Sequence, residues 1–311
     1  MKESVVTDTP ARPFLKWAGG KGRLLSQIEE YLPPALSEGR IRRYVEPFVG
    51  GGALFFYLRQ KYDLTDYYLF DRNPELILVY RVVRDDVEAL LACLQEMEAD
   101  YLPLAEDGRK VFYYQIRQQF NEQRAAIDFS EGQPGWAKRA AQLVFMNRTG
   151  YNGLFRVNSK GAFNVPFGRY KNPAICRTDN LRAASQALQG VHIEQGEFTA
   201  CEPFVDERTF VYFDPPYRPL SATAHFTAYA KEPFGDAEQL ALVRFYGRLH
   251  QTGAYLMLSN ADPRNTNPDD TFFEDAYYGF RVERIQASRA INSQPGKRGP
   301  ISELLIMNYE A

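Results

Sequence analysis

Apolar residues recur along this chain in two rhythms, and the changes between them outline the fold. Leu24, Leu25, Ile28, Tyr31 and Leu32 fall at helical spacing, and Pro33-Pro34 closes that run. Residues 44–45 predict a short strand running into Pro47-Phe48-Val49-Gly50-Gly51-Gly52, and 53–58 open a helix. Residues 67–70 predict a second strand that ends at Asp71. From 74 to 126 the period is mostly helical, with Leu76, Ile77, Val79, Tyr80 and Val83 followed by Val87, Leu90, Leu91 and Leu94. Residues 147–175 have little period and predict an irregular loop or hairpin. Strand rhythm resumes at 191–193, 209–213, 254–258 and 304–307, with a helix over 236–250. Residues 1–12 read as a loose tail.

A strand, a glycine turn, a helix and a strand ending in an acid form one nucleotide-binding unit of an α/β sheet. That sheet breaks off near 75 and resumes near 190. Residues 1–75 and 190–311 are therefore expected to form one α/β domain. Residues 76–189 are expected to be an inserted, mainly helical domain.

Composition narrows this outline. A chain of 311 residues fits a main domain with an insertion. Cys93, Cys176 and Cys201 are scattered without a CxxC, so neither a disulfide framework nor a metal site is expected. The amino terminus lacks the apolar stretch of a signal peptide, and no run approaches the ~18 apolar residues of a membrane span. A cytoplasmic protein without a membrane partner is expected; no obligatory protein partner is evident. The net charge of −2 does not advertise nucleic acid, but the charge is uneven. Between 138 and 182 lie Lys138, Arg139, Arg148, Arg156, Lys160, Arg169, Lys171, Arg177 and Arg182, with Asp179 the only acid. A second basic cluster, Arg281, Arg284, Arg289, Lys297 and Arg298, reads with Gly296, Gly299 and Pro300 as a loop. Either cluster alone is equally a solvated face. The first coincides with an aromatic, Asn-rich stretch that suits base edges and phosphates.

The candidate chemistry sits at Asp214-Pro215-Pro216-Tyr217, after the apolar run 209–213. Open α/β sheets place ligands at the carboxyl ends of their strands. Prolines cannot donate N–H groups, so carbonyls and a carboxylate face outward as acceptors. An exocyclic amine offers the matching hydrogens, and Tyr217 offers a flat face for its ring. The plainer alternative is a turn closed by proline. Phe48-Val49-Gly50-Gly51-Gly52 lacks the third glycine of a dinucleotide fingerprint and the Lys-Ser/Thr of a P-loop. Asp71 follows about twenty residues on, where an acid accepts from ribose hydroxyls. A cofactor with a ribose and no phosphates fits: S-adenosylmethionine. Lys21 is expected at its carboxylate, Trp17 over its sulfonium or adenine, and Glu197-Phe198 at its adenine. Otherwise Trp17 and Phe198 are core and Lys21 and Glu197 are surface charges.

Together these stretches resemble the DNA adenine-N6 methyltransferase (Dam) family of GATC type, whose target-recognition region lies between the cofactor and catalytic motifs. The resemblance runs from about residue 12 to 308. It is carried by 16–21, 46–54, 214–217, Asn147-Arg148-Thr149-Gly150-Tyr151-Asn152-Gly153-Leu154-Phe155-Arg156, its continuation over 161–171, and Ser221-Ala222-Thr223 with Phe226-Thr227-Ala228-Tyr229. It implies a Rossmann-like S-adenosylmethionine-dependent methyltransferase sheet with an inserted DNA-recognition domain. It also implies N6-adenine methylation in double-stranded DNA containing GATC, by base flipping. Asp214, Pro215 and Tyr217 would be catalytic. Trp17, Lys21, Phe48, Gly50, Asp71, Phe198 and Asp214 would hold the cofactor. Lys16, Arg148, Tyr151, Asn152, Leu154, Arg156, Pro166, Arg169 and Tyr170 would meet DNA, with Tyr151 wedged into the base stack. Glu197 departs from the family's usual Asp. Two rivals remain: a methylase of another planar amine or amide, and a non-catalytic DNA-binding regulator on the same scaffold. The basic insertion speaks against the first, and the intact Asp214 and glycine turn against the second.

Overall fold

The computed structural model describes residues 9–130, 132, 134–218, 234–287 and 301–311. In chain order, α1 (Leu25–Glu29), β1 (Arg43–Glu46), α2 (Ala53–Lys61) and β2 (Asp66–Asp71) come first. Then come α3 (Pro74–Asp85), α4 (Val87–Tyr101), α5 (Glu106–Gln123), α6 (Trp136–Thr149) and α7 (Thr178–Ala187). The rest comprises β3 (His192–Gln195), β4 (Thr209–Phe213), α8 (Asp236–His250), β5 (Tyr255–Ala261), α9 (Phe272–Ala276), β6 (Arg281–Ala287) and β7 (Ile301–Met307).

The strands form one sheet in the order β3-β2-β1-β4-β5-β7-β6. β1 to β5 run parallel, and β7 runs antiparallel between β5 and β6. β4 lies at its centre with all five residues buried, which is why its sequence is one unbroken apolar run. Successive strand residues serve opposite faces. Tyr44, Phe210, Tyr212 and Met257 join the core under the helical block, whereas Val45, Val211, Phe213 and Leu258 pack toward α8. The strand order reverses between β1 and β4, and that switch point is where such sheets bind ligands. This is the expected methyltransferase-type α/β sheet.

α3 couples this sheet to the helices that follow. Asn73 caps it by accepting from the Glu75 N–H (3.1 Å), and Pro74 occupies its first position. Leu76 to Tyr80, Val82 and Val83 are buried, because α3 is covered by the sheet on one side and by α4, α6 and α7 on others. One apolar core therefore runs from Leu69 and Tyr44 through α3 to Leu94, Tyr113 and Phe145.

Two elements depart from the expected pattern. α6 has no apolar stripe because it is enclosed on most sides, and its buried polar residues Arg139, Gln142, Asn147 and Thr149 blur its period. The stretch after it is irregular, as expected, and is pinned by the bridges Gly150–Phe167 and Val157–Phe163. β6 stands where the second basic cluster predicts a loop, yet it is a strand paired with β7 along its length. Its arginines are spent locally: Arg281 on Glu283 (2.9 Å), and Arg284 on Asp262 (3.0 Å) and Glu274. Arg289, Lys297 and Arg298, with the segments 221–223 and 226–229 and residues 1–8, lie outside the described residues.

Candidate active site

β4 delivers Asp214 to the carboxyl edge of the sheet, next to β5. Asp214 Oδ1 accepts from Lys21 Nζ (2.7 Å) and from Ser259 Oγ (3.1 Å). Ser259 in turn bonds the Tyr212 hydroxyl at 2.9 Å, so neighbouring strands aim one carboxylate. Burial pushes the Asp214 carboxyl above its usual range, against the pull of Lys21 and Ser259. Burial alone would lower the Lys21 ammonium, but Asp214, Tyr212, Tyr217 and Glu303 around it hold its pKa well above the ordinary value. Gln239 on α8 donates to the Pro216 carbonyl (3.2 Å), which fixes the turn from below.

The sequence places Lys21 at a cofactor carboxylate. Its Nζ is bonded to Asp214, the Tyr217 hydroxyl (2.8 Å) and the Gly19 carbonyl (3.1 Å), with Glu303 at 3.4 Å. A cation so buried needs these oxygens around it. Tyr217 turns its ring toward that ammonium, 4.7 Å from the centroid.

The glycine turn follows β1. Gly50 has φ +45, and a Cβ there would meet Trp17 Cδ1 at 2.9 Å. The space a side chain would need is taken by the indole of Trp17. Asp71, at the end of β2, accepts from the Gly50 N–H (3.2 Å) and the Asn73 N–H (2.9 Å). Burial raises its carboxyl to about 6 despite those bonds. Phe48 and Phe198 stack at 5.8 Å and 27°, with Phe234 edge-on to Phe48. All of the expected cofactor and catalytic residues line one cavity of about 500 Å³ at the carboxyl ends of the parallel strands. Glu197 lines it too, 3.9 Å from Arg72.

The irregular stretch abuts this cavity. Tyr151 is 53% exposed, and its N–H donates to the Pro166 carbonyl (2.8 Å). Lys16 crosses Gly153 with its Nζ 4.7 Å over the Tyr170 ring, and Gly153 leaves room for it at φ +64. Arg156 donates to Asn164 Oδ1 (2.8 Å). Asn152 and Arg169 are exposed with φ 55, and Leu154 is half-buried. The loop thus brings Lys16, from the amino-terminal stretch, beside residues 151–170.

The sequence model of the family described as D12 class N6 adenine-specific DNA methyltransferase matches residues 17–291. The chain belongs to that family. Among relatives of this methyltransferase, the type II methyltransferase M.MjaIII of Methanocaldococcus jannaschii is 49% identical over 96% of this chain and 99% of its own length. M1.LlaDCHI of Lactococcus lactis subsp. cremoris is 36% identical, over 96% and 95%. The DNA adenine methylase of Escherichia coli is 34% identical, over 95% of each.

The basic block of the methyltransferase needs correcting as a DNA surface. Arg139 is buried and bound bidentately to Glu75. Arg182 pairs with Glu88 (2.8 Å), whereas Arg169, 3.7 Å from Glu106, stays largely exposed. A window along the sequence misses acids that other helices bring. Arg148 is half-buried and donates to the Phe14 carbonyl (2.6 Å); burial, and then Arg177, lower it to about 10, so it stays charged at neutral pH. Lys138, Lys160, Lys171 and Arg177 are exposed. Sequence reasoning also passes over Glu46, a buried carboxyl lining the cavity that accepts from the Tyr44 hydroxyl (2.9 Å). Burial holds its pKa well above the usual carboxylate range. It misses Ser259 and Gln239 as well, because nothing in their local sequence marks them, and it assigns no role to Phe155 although that residue lies within the 147–156 motif.

Proposed function

We propose that this methyltransferase modifies N6 of adenine within GATC in double-stranded DNA, with S-adenosylmethionine as donor. The observation that carries the reading is that Asp214, Asp71 and the loop residue Phe155 line one cavity. The residues fit that cofactor. Aromatic faces at Phe48 and Phe198 suit a purine. Asp71, whose carboxyl burial has raised, gains from hydroxyl donors such as those of a ribose. Trp17 and Asp214 would complete the cofactor's surroundings, with Gly50 letting the wall close and Lys21 within reach. When bound, S-adenosylmethionine supplies a methyl group already activated as a sulfonium.

The chain's own residues do the rest. The N6 lone pair is delocalised into the purine, so the amine is a weak nucleophile. Asp214 and the Pro215 carbonyl accept its two hydrogens and draw the nitrogen toward tetrahedral geometry. Acceptors placed where positive charge develops stabilise the transition state. The proton that the nitrogen sheds leaves along the hydrogen bond to Asp214. Lys21 and Ser259 keep that carboxylate oriented. An adenine inside a duplex cannot reach this turn, so it must be extruded, with Tyr217 against its ring and Tyr151 filling the stack. Lys16, Leu154, Arg156 and Pro166 would read bases. Arg148, Asn152, Arg169 and Tyr170 would seat the backbone and the loop. Residues 76–189 would be the target-recognition domain.

The test is to sequence modified bases in DNA from cells expressing the chain. N6-methyladenine confined to GATC is expected. Methylation spread over other sites would overturn the specificity, and none at all would overturn the reading.

A further inference from the structure

Asn147 and Phe155 belong neither to the catalytic turn nor to the proposed base contacts, yet both bridge the loop and the cavity. Asn147 is buried in the last turn of α6. Its Oδ1 accepts from the Lys16 N–H (2.8 Å), and its Nδ2 donates to the Lys16 carbonyl (2.8 Å) and to the Gly153 carbonyl (2.7 Å). One side-chain amide thus fastens residue 16 to the loop at residue 153. The next residue, Trp17, is a wall of the cavity and rests on Gly50. From the loop side, the Phe155 ring stacks on the Trp17 indole at 5.6 Å and 22° and lines the cavity itself. Phe155 stands between Leu154 and Arg156, both proposed base readers.

We infer that Asn147 and Phe155 are positioning residues that tie the target-reading loop to the cofactor wall, so that the matching DNA tightens cofactor binding. The inference rests on the proposed function. DNA seated on residues 151–156 settles the loop, and with it the ring that holds Trp17. The Asn147 side chain is buried and its three bonds join Lys16 to Gly153, so Lys16 and Trp17 do not shift independently of the loop. A wall already ordered by one ligand need not be ordered again by the other. The effect is reciprocal, because both bindings share one free-energy cycle.

The experiment measures binding of S-adenosylhomocysteine to the full chain by calorimetry. Three conditions are compared: no DNA, a duplex with one GATC, and the same duplex with one base of the site changed. For the unaltered protein, the GATC duplex is expected to tighten binding at least about fivefold and the altered duplex not to do so. Phe155→Leu keeps an apolar side chain but removes the flat stack, and Asn147→Ala removes the staple. Each is expected to bring the GATC and no-DNA affinities together while duplex binding persists. Unaltered coupling in a folded variant, or no coupling in a protein that methylates GATC, overturns the inference. If Asn147→Ala does not fold, Phe155→Leu decides alone. Failure of the unaltered protein to methylate GATC sinks the proposed function instead, which separates the two results.

Discussion

Asp214 is gripped at one oxygen only. Oδ1 takes both the Lys21 and Ser259 bonds, and Oδ2 has no protein partner among the described residues. That asymmetry is what an acceptor for a substrate amine requires. Asp214→Ala is expected to cut turnover by at least about a hundredfold, with the circular dichroism spectrum unchanged. A variant of near-normal turnover refutes the assignment. Asp71 carries a pH dependence whose sign can be worked out. Its carboxyl titrates at about 6 when folded, against an ordinary value of 3.8. Its share of fold stability is therefore fully present below about pH 4 and is lost as the pH rises through about 6. Cofactor binding should run the other way, since the ionised form is the better acceptor for hydroxyls. Affinity for S-adenosylhomocysteine is expected to rise with pH up to about 6 and then level off. Asp71→Asn should flatten that profile, and a profile unchanged by the substitution would exclude the role.

At the scale of elements, α6 is the one the sequence conceals. A solvent-facing helix announces itself by a stripe, and an enclosed one does not. Its polar residues are intelligible only once their partners are known: Glu75 for Arg139, and Lys16 and Gly153 for Asn147. β6 escapes notice for a different reason: this edge strand mixes Arg281, Glu283, Arg284 and Gln286 with Val282, Ile285 and Ala287 without regular alternation, so its sequence shows no strand period. The other strands show through their apolar residues: β1, β2, β4, β5 and β7 are interior ones, and β3, at the opposite edge from β6, is marked by residues 191–193. The Arg139–Glu75 pair locks α6 to α3, and Arg139 also donates to the Phe120 carbonyl. Arg139→Ala should cost about 3–5 kcal/mol, because Glu75 is left buried and uncompensated. Thermal or urea melts read this directly, and a loss below about 1 kcal/mol would show the pair to be dispensable. In the loop after α6, Arg156→Ala should relax base choice by about 1–3 kcal/mol per contact. Methylation rates on duplexes differing at single positions of the site check it, and unchanged discrimination would remove Arg156 from the readers.

For the whole molecule, charge is a matter of place rather than total. A net −2 conceals the exposed Lys160, Lys171 and Arg177, while arginines counted beside them in the sequence are spent on buried or local pairs. The site is more legible than the surface around it. Short motifs at residues 17, 50, 71 and 214 each end at the same sheet edge, so their convergence follows from the α/β plan. Which cations remain available depends on helices that meet only after folding. If Lys160 meets a phosphate, Lys160→Ala should lower the slope of log affinity against log salt by about 1. An unchanged slope would place it off the duplex.

The continuous core through α3 has a practical consequence for anyone building hybrids of this protein. The segment between β2 and β3 is not a cassette: its helices share their packing with the sheet, and its loop is buttoned to residues 14–16 through Arg148 and Asn147. A graft that imports another loop alone would arrive with mismatched fastenings, so the amino-terminal stretch has to travel with it.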